Sequence, residues 1–331
     1  MIRATAWCRV DLGGGTLDIW PIGVMHPGSV TVNFAIGLPV SAELRTRTSD
    51  YAITQDGVGS RHGSLQALVA EPDTALPALV AQELELPPVE IRLASGSPRG
   101  GGLGASSALA VALLAATELL RHGELRRSAE ERARIARDLE ARLMGLPTGL
   151  QDHLPGQLGG ALVIEHRAGG ERVRRLEVDL EALAARLIVA FTGQSHFSAG
   201  NNWAVLRRRF EGDAETVARL EAIRAAAAAL PTALETADWP GVGQLVSAEW
   251  QARRGLAPEV DTPEVERLLE LALQLGAWGG KACGAGGGGS IAVLAPAERR
   301  ETIVRELGAA GAVVLDAPPT ARRLEILVED E

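Results

Sequence analysis

The sequence predicts an α+β protein with two domains, and three observations support this prediction. The chain has 331 residues, of which 46% are apolar, so it is long enough to fill two hydrophobic cores. Segments with strand-like alternation are interspersed with segments of helical spacing. The last part of the chain has the order strand, helix, strand, strand, which is typical of an α+β layer.

Composition excludes several classes of protein. The net charge of −9 argues against nucleic acid as a partner, because binding a phosphate backbone needs a basic surface. The N-terminus lacks the apolar core of a signal peptide, and no apolar run reaches the roughly 18 residues of a membrane helix. Cys8 and Cys283 lie far apart without C-x-x-C spacing, which favours free thiols. We therefore expect a cytoplasmic protein without a membrane partner, and a homodimer is one option for its assembly.

The first half of the chain carries most of the predicted strands. Alternating and β-branched residues predict strands at 2–10, 30–36, 39–47, 89–94 and 160–166. The region 49–88 is polar and irregular, with short helical pieces at 64–70 and 76–84. Helical spacing predicts longer helices at 109–120 and 128–144, the second beginning at Ser128 ahead of two glutamates.

The second half is mainly helical until its last part. Helices are predicted at 199–210, 213–229, 240–253, 262–275 and 296–310, and strands at 186–192, 290–294, 313–316 and 324–328. The closing order of elements suits a ferredoxin-like layer. We place the domain boundary between the strands at 160–166 and 186–192, which gives domains 1–180 and 181–331.

A glycine-rich stretch at 98–108 reads P-R-G-G-G-L-G-A-S-S-A and leads into a helix that Gly123 ends. Such a loop directs backbone amides and the positive end of the helix dipole at one point, which suits phosphate. Ser106 and Ser107 stand where the helix begins. Either they cap the helix, or one hydroxyl binds Mg²⁺ on a nucleotide.

Two carboxylate-bearing stretches are candidates for chemistry. The turn at 11–18 reads D-L-G-G-G-T-L-D, and Asp18 either closes this turn or accepts hydrogen bonds from ligand hydroxyls. The turn-rich stretch at 145–160 contains T-G-L-Q-D, and its Asp152 has His153 beside it as a competing base. Glu140 lies twelve residues before Asp152, where the ordinary interpretation is a solvated helix residue.

Together these stretches resemble the GHMP kinases, the superfamily of galactokinase, homoserine kinase, mevalonate kinase and phosphomevalonate kinase. The stretch 98–108 is similar to the second motif of the family, with Ala105 in place of a serine. The turn 11–18 resembles the first motif, and T-G-L-Q-D resembles the catalytic segment of the sugar kinases. The cluster K-A-C-G-A-G-G-G-G-S-I-A at 281–292 resembles the third motif.

The resemblance implies a two-domain GHMP kinase fold, with an N-terminal ribosomal-protein-like α/β domain and a C-terminal ferredoxin-like domain. It implies transfer of the γ-phosphate of ATP to a hydroxyl, with ATP and Mg²⁺ as cofactors. It assigns the metal to Ser106 and Glu140. It assigns the triphosphate to a loop consisting of Gly100, Gly101, Gly102, Leu103, Gly104, Ala105, Ser106 and Ser107.

The resemblance also implies the remaining site residues. Asp152 would hydrogen-bond the attacking hydroxyl, and Arg9 would keep Asp152 ionised or contact the γ-phosphate. Substrate binding falls to Asp18, Gly14, Gly15, Thr16, Gly193 and His196. Support of the phosphate loop falls to Gly284, Gly286, Gly287 and Gly288.

The acceptor is expected to be a small sugar or sugar phosphate. G-G-G-T and T-G-L-Q-D resemble the D-glycero-D-manno-heptose 7-phosphate kinases and the fucokinase-like enzymes. The stretch 191–198 resembles their T-G-x-x-R-x-S segment, with His196 in place of the arginine. We expect phosphorylation of heptose 7-phosphate on the C1 hydroxyl. The alternatives are a fucokinase-like enzyme, a kinase for another acceptor such as a mevalonate-type or decarboxylase relative, or a non-catalytic relative that binds sugar or nucleotide.

Overall fold

A computed structural model describes residues 1–70, 75–195 and 199–329 of the chain. The described strands form one sheet of eight strands and one of four. The larger sheet contains β1 (Ile2–Gly13), β2 (Val30–Thr46), β3 (Tyr51–Gln55), β4 (Val58–His62), β5 (Val89–Ser95), β6 (Ala161–Arg167), β7 (Gly170–Leu176) and β12 (Glu325–Val328). The smaller, antiparallel sheet contains β8 (Leu187–Phe191), β9 (Gly279–Ala282), β10 (Ser290–Leu294) and β11 (Val313–Val314).

The described helices cover the sheets and fill the space between them. They are α1 (Ile22–Met25), α2 (Leu65–Val69), α3 (Ala75–Glu83), α4 (Ala105–His122), α5 (Ala129–Met144), α6 (Pro155–Leu158), α7 (Leu180–Ala184), α8 (Ala199–Phe210), α9 (Ala214–Glu235), α10 (Trp239–Arg254), α11 (Pro263–Gln274) and α12 (Ala297–Ala309). The predicted helices are thus present with small shifts at their ends. The largest shift is at α9, which continues past the predicted end and contains Pro231.

Strand β2 replaces two predicted strands with one. It runs through the predicted gap at residues 37–38 and pairs along most of its length with β1. Pro39 lies opposite Trp7, next to an irregularity in that ladder. The first part of β2 pairs with β6 and the second part with β5, so this strand is the centre of the larger sheet.

The polar region after β2 contains a hairpin that the sequence interpretation missed. Strands β3 and β4 pair antiparallel around Asp56 and Gly57, which both have positive φ angles, of 49° and 82°. An Asp-Gly pair between short strands is a strong hairpin signal. The strand β7 was also missed, although it forms a hairpin with β6 around Gly169, which has a φ of 90°.

Helix α4 is the central helix of the first domain. Its residues from Ser107 to Glu118 are all buried, and it packs on β1 and β2. It ends at Gly123, which has a φ of 72° and donates its amide to the Leu119 carbonyl. The next helix, α5, begins with a capping box between Ser128 and Glu131, as its sequence indicates.

The last strand requires a correction to the predicted domain limits. Strand β12 pairs antiparallel with β1, from Ile2 opposite Val328 to Thr5 opposite Glu325, and therefore belongs to the larger sheet. It is not part of the ferredoxin-like layer, which contains β8 to β11. The return of the chain covers the edge of β1 that would otherwise be unpaired. A short segment of the predicted second domain thus completes the first.

The two halves share a continuous core. One apolar cluster includes Val10 and Phe34 from the larger sheet, Leu187 and Leu294 from the smaller sheet, and Trp239 of α10. A second cluster fills the space between the smaller sheet, α11 and α12. Both cysteines are free and buried, as predicted. Within the described residues, no helix is both long enough and apolar enough to cross a bilayer.

Candidate active site

The glycine-rich stretch forms a loop between β5 and α4. Gly100, Gly102 and Gly104 have φ angles of 65°, 69° and 69°, which glycine adopts without strain. Gly104 is the N-cap residue, and no side chain caps the helix. Neither Ser106 nor Ser107 therefore caps the helix. The first-turn amides of α4 thus have no side-chain cap, and an uncapped helix terminus of this kind suits an anion.

The third glycine cluster lies directly behind this loop. The Ser290 amide donates to the Gly101 carbonyl at 2.9 Å. A Cβ atom at Gly102 would lie 2.7 Å from the Cys283 carbonyl oxygen, and one at Gly284 would lie 3.0 Å from the Gly102 oxygen. The two loops therefore approach so closely that side chains would separate them.

The predicted support residues divide into two groups. Gly284 contacts the phosphate loop, as does Gly289, where a Cβ atom would lie 2.9 Å from the Gly100 oxygen. Gly286 and Gly287 meet Val260 instead, and the Gly287 amide donates to its carbonyl at 2.6 Å. Gly288 has a positive φ of 123°. Gly289 was not selected from the sequence, because a run of four glycines does not reveal which one faces the neighbouring loop.

The serine next to Glu140 is Ser107, and this corrects the predicted register by one residue. The Ser107 hydroxyl donates to both oxygens of the Glu140 carboxylate, at 2.9 and 3.0 Å, and both residues are buried. Ser106 is exposed on the same helix. Successive helix residues point about 100° apart, so only one of two adjacent serines can face α5.

His153 lies behind Glu140 and away from the cleft. It is buried, and its Nε2 lies 3.0 Å from a Glu140 carboxylate oxygen. Burial would lower the pKa of this imidazole, but the charges of Glu140 and Asp152 raise it above its usual value. This position removes His153 as a competing base, because its ring contacts the Glu140 carboxylate and is closed off from solvent.

Asp152 is held by Arg9 from the first strand. One Asp152 oxygen, Oδ1, lies 2.8 Å from Nε and 2.6 Å from Nη2 of Arg9. The third nitrogen, Nη1, donates to the Gly102 carbonyl at 2.7 Å. Arg9 is buried, whereas the Asp152 side chain is 30% exposed. The geometry ties the carboxylate to the glycine-rich loop, and Asp152 also lines a cleft.

Asp18 lies beside the segment that precedes Asp152. Its Oδ2 accepts a hydrogen bond from the Gln151 amide at 3.1 Å. A Cβ atom at Gly149 would lie 1.7 Å from the same oxygen, which explains the glycine of T-G-L-Q-D. Burial, followed by the negative charge of Asp152, raises the pKa of Asp18 to about 6. Asp18 therefore contacts the T-G-L-Q-D segment in addition to its own turn.

A buried chain of charges connects the two domains, and the sequence interpretation missed it. Lys281 Nζ donates to Asp11 Oδ2 at 2.5 Å and lies 3.2 Å from Glu249 Oε2. The Gly284 amide donates to the other Asp11 oxygen at 2.9 Å. Burial would raise the pKa of Asp11, but Lys281 and the arginines around it lower it. Lys281 is the one lysine of the sequence, which could have been taken as a signal.

Arg253 ends this chain of charges in the substrate-facing turn. Its Nε donates to Glu249 Oε1 at 3.0 Å, and its Nη2 contacts the same oxygen. Its Nη1 lies 3.4 Å from the Thr16 hydroxyl. A Cβ atom at Gly15 would lie 2.5 Å from Nη2, so the glycine leaves the space that the guanidinium occupies. The Gly14 amide donates to Glu249 Oε1 at 3.3 Å, so the same carboxylate oxygen contacts both the turn and Arg253.

Asp18, Asp152 and Arg253 line one cleft, which we call the acceptor cleft. It is lined by Thr16, Asp18, Ile19, Thr148, Gly149, Gln151, Asp152, Asn202, Arg253, Gly284 and Ala285. Gly193 is exposed and is not among these residues. The predicted contact at His196 lies outside the described residues.

Comparison with known proteins agrees with this arrangement. Residues 73–160 match the GHMP kinases N terminal domain, and residues 213–313 match the GHMP kinases C terminal domain. The two matches together cover more than half of the chain. The chain belongs to the GHMP kinase family.

Among relatives of this GHMP kinase is the D-glycero-alpha-D-manno-heptose 7-phosphate kinase of Campylobacter jejuni. It is 27% identical over a region that covers 64% of this chain and 63% of the relative. The bifunctional fucokinase/GDP-fucose pyrophosphorylase of Arabidopsis thaliana is 28% identical, over 87% of this chain and 29% of the relative. The chain thus aligns with less than two thirds of the length of either relative.

A solved structure has the same fold along the whole chain. The crystal structure of a D-glycero-D-manno-heptose 1-phosphate kinase from B. thetaiotaomicron superposes with a TM-score of 0.81 at 20% identity, and covers 100% of both chains. At this identity the likeness is informative about the fold alone. It confirms the predicted two-domain GHMP kinase fold of mixed α and β content.

Proposed function

We propose that this GHMP kinase transfers the γ-phosphate of ATP to a hydroxyl of a sugar or sugar phosphate. The observation that carries the proposal is the position of Asp152. It is held by Arg9 beside the phosphate loop and lines the same cleft as Asp18. Phosphoryl transfer needs little covalent chemistry from a protein, so its main requirements are positioning and neutralisation of charge. The relatives named as kinases support the proposal at the level of the family.

In this proposal Asp152 orients the acceptor hydroxyl and accepts its proton as the oxygen attacks phosphorus. Arg9 holds the carboxylate by two nitrogens, which fixes its position beside the loop. The same guanidinium is hydrogen-bonded to the phosphate loop. The base and the phosphate site are therefore fixed relative to each other by one buried side chain, which fits the requirement for near-attack geometry.

The residues also fit a magnesium ion. Glu140 and Ser107 place one carboxylate and one hydroxyl beside the start of α4. Mg²⁺ prefers oxygen ligands, and takes one or two carboxylates together with phosphate oxygens and water. When bound there, the ion would neutralise charge on the nucleotide phosphates. Glu140 and Ser107, and not Ser106, are the residues that we propose to hold it.

On the acceptor side we propose that Asp18 accepts hydrogen bonds from sugar hydroxyls. Heptose 7-phosphate, phosphorylated on the C1 hydroxyl, is the acceptor that similarity to the Campylobacter jejuni kinase suggests. A fucose-like acceptor is suggested by the Arabidopsis thaliana relative.

The test is an ADP-release assay with ATP and Mg²⁺ against a panel of sugars, sugar phosphates and mevalonate. Turnover of one or more sugars or sugar phosphates is the expected result. Turnover of mevalonate alone would contradict the proposed acceptor class. If titration calorimetry shows binding of an ATP analogue and a sugar but no ADP is released, the protein is a binding-only relative and the proposal fails.

A further inference from the structure

The buried cations around the acceptor cleft are already matched with carboxylates. Arg9 contacts Asp152, Lys281 contacts Asp11, and Arg253 contacts Glu249, each at hydrogen-bonding distance. All three cations are buried. A new anion entering the cleft would therefore find cations that are neutralised by partners they cannot easily leave.

Among the described carboxylates around the cleft, Asp18 differs in forming no ion pair with a described arginine or lysine side chain. Its hydrogen-bond donor is the neutral Gln151 amide. Its pKa is raised to about 6 by burial and by Asp152, although Arg253 acts in the opposite direction. At neutral pH and above, the acceptor cleft thus carries surplus negative charge.

The rim of the cleft does not compensate this charge. Ile19, Thr148 and Asn202 line it without charge. The nearby arginines of α8 are engaged elsewhere: Arg208 contacts the Leu256 carbonyl, and Arg209 donates to His26 at 2.8 Å. Residues 196–198 lie outside the described part, and their sequence contains neither arginine nor lysine.

We propose that the acceptor is an uncharged sugar, that Asp18 and Arg253 bind its hydroxyls, and that the cleft selects against acceptors that carry a phosphate. The inference rests on the proposed kinase function and narrows its substrate class. It ranks unphosphorylated sugars above heptose 7-phosphate, the acceptor that sequence similarity suggests. Arg253 then acts as a specificity-determining residue supplied by the second domain.

The chemistry of the pair suits a polyol. The Asp18 carboxylate accepts hydrogen bonds from hydroxyl groups, and Arg253 Nη1, which makes only a long contact with Thr16, donates to a hydroxyl oxygen. Gly15 keeps open the space for this guanidinium. Because a neutral sugar adds no charge, it avoids the penalty that like charges impose on a phosphate beside Asp18.

The experiment compares matched acceptors that differ by one phosphate. At pH 8, mannose is compared with mannose 6-phosphate, galactose with galactose 6-phosphate, and D-glycero-D-manno-heptose with its 7-phosphate. L-fucose is tested as a further uncharged sugar. Both ADP release and calorimetric binding in the presence of a non-hydrolysable ATP analogue are measured. We expect kcat/KM for the preferred sugar to exceed that of its phosphate ester by about tenfold or more.

Two variants link the preference to these residues. Asp18→Asn removes the surplus charge. We therefore expect the ratio of kcat/KM for the sugar to kcat/KM for its phosphate ester to fall by about tenfold. Gly15→Ala would place a Cβ atom against Arg253 without a positive φ, and should raise KM for the sugar more than it lowers kcat. Gly63→Ala is the matched control, because a Cβ atom there meets nothing within 4 Å.

The outcomes are distinguishable from those of the kinase proposal. Preference for a phosphate ester over its parent sugar, or an unchanged ratio in Asp18→Asn, overturns the inference. Absence of binding by every sugar also overturns it. Binding with the expected preference but without ADP release supports the assignment of the cleft, and overturns the kinase function instead.

Discussion

One oxygen of Asp152 lies within 2.8 Å of two nitrogens of Arg9, although the two residues are separated by 143 positions in the sequence. The contact connects the first strand to the segment after α5, and Arg9 also binds the phosphate loop. Burial would lower the pKa of Arg9, but Asp152 and Asp11 raise it, so the arginine stays charged. In the proposed reaction, Asp152 is the base and Arg9 is its anchor.

Replacing the base gives the most direct prediction. We expect Asp152→Asn to lower kcat by about 10²- to 10⁴-fold, because it removes the proton acceptor while keeping a similar shape. Binding of an ATP analogue, measured by calorimetry, should change little. Asp138→Asn, at an exposed position of α5, is the matched control. A variant at position 152 that retains more than about a tenth of the wild-type kcat would exclude the base role.

Replacing the anchor separates charge from geometry. Arg9→Lys keeps a positive charge but cannot contact Asp152 with two nitrogens and Gly102 with a third. We expect kcat to fall by at least about tenfold at saturating substrates, because the base loses its orientation. Arg9→Met should instead destabilise the fold by about 1–3 kcal/mol, because Asp152 loses its cation and the Gly102 carbonyl loses its donor. Urea unfolding and ADP release measure the two effects, and equal kcat for Arg9→Lys and wild type would contradict the argument.

The two adjacent serines should differ in metal dependence. Ser107→Ala removes the hydroxyl that contacts Glu140, so the Mg²⁺ concentration needed for half-maximal rate should rise several-fold. Ser106→Ala, one residue away and exposed, is the control and should stay near wild type. A magnesium titration of ADP release distinguishes them. The reverse result would restore the register that the sequence suggested.

Asp18 should give the protein a measurable pH dependence. Its pKa is raised to about 6, so the carboxylate is ionised at pH 7 to 8 and becomes protonated as the pH falls through about 6. KM for the acceptor should therefore rise on acidification below pH 6, by up to about tenfold per unit for a single titrating group. Asp18→Asn should raise KM at pH 8 and remove this dependence. An acceptor KM for the wild type that is constant from pH 5 to 8 would argue against this role.

The same raised pKa has a consequence for stability. The folded state binds a proton more tightly than the unfolded state, so the contribution of Asp18 to the free energy of unfolding falls as the pH rises from about 4 to about 6. At pH 7 the ionised carboxylate costs up to about 3 kcal/mol, at 1.36 kcal/mol per pKa unit. Asp18→Asn should therefore stabilise the protein at pH 7 while impairing acceptor binding. Urea unfolding at pH 4 and pH 7 tests the sign.

Replacing Lys281, which connects the two domains, should lower the free energy of unfolding. Lys281→Met leaves Asp11 and Glu249 buried without their shared cation, and we expect a loss of about 3–5 kcal/mol in the free energy of unfolding. The double variant Lys281→Met with Asp11→Asn should recover part of that loss, because it removes one unpaired charge. If the losses in the free energy of unfolding add in the double variant, Lys281 and Asp11 are not energetically coupled.

Local patterns were enough to locate part of the candidate site. The glycine loop, its helix and the T-G-L-Q-D segment are contiguous stretches, and the positive φ angles of Gly100, Gly102 and Gly104 are a local requirement for glycine. The choice between Ser106 and Ser107 was not local, because it depends on which face of α4 meets Glu140 on α5. Likewise, the final strand could be predicted from its residues, but its pairing with β1 could not.

By itself, the sequence determined that this is a two-domain α+β GHMP kinase, with a phosphate loop and a carboxylate at position 152. Only the tertiary structure decided how the acceptor cleft is charged. Arg253 meets Thr16 across 237 positions, and Lys281 meets Asp11 across 270. The physical reason is that helix, turn and strand signals arise from neighbouring residues, whereas the pairing of buried charges depends on which distant elements the folded core brings together.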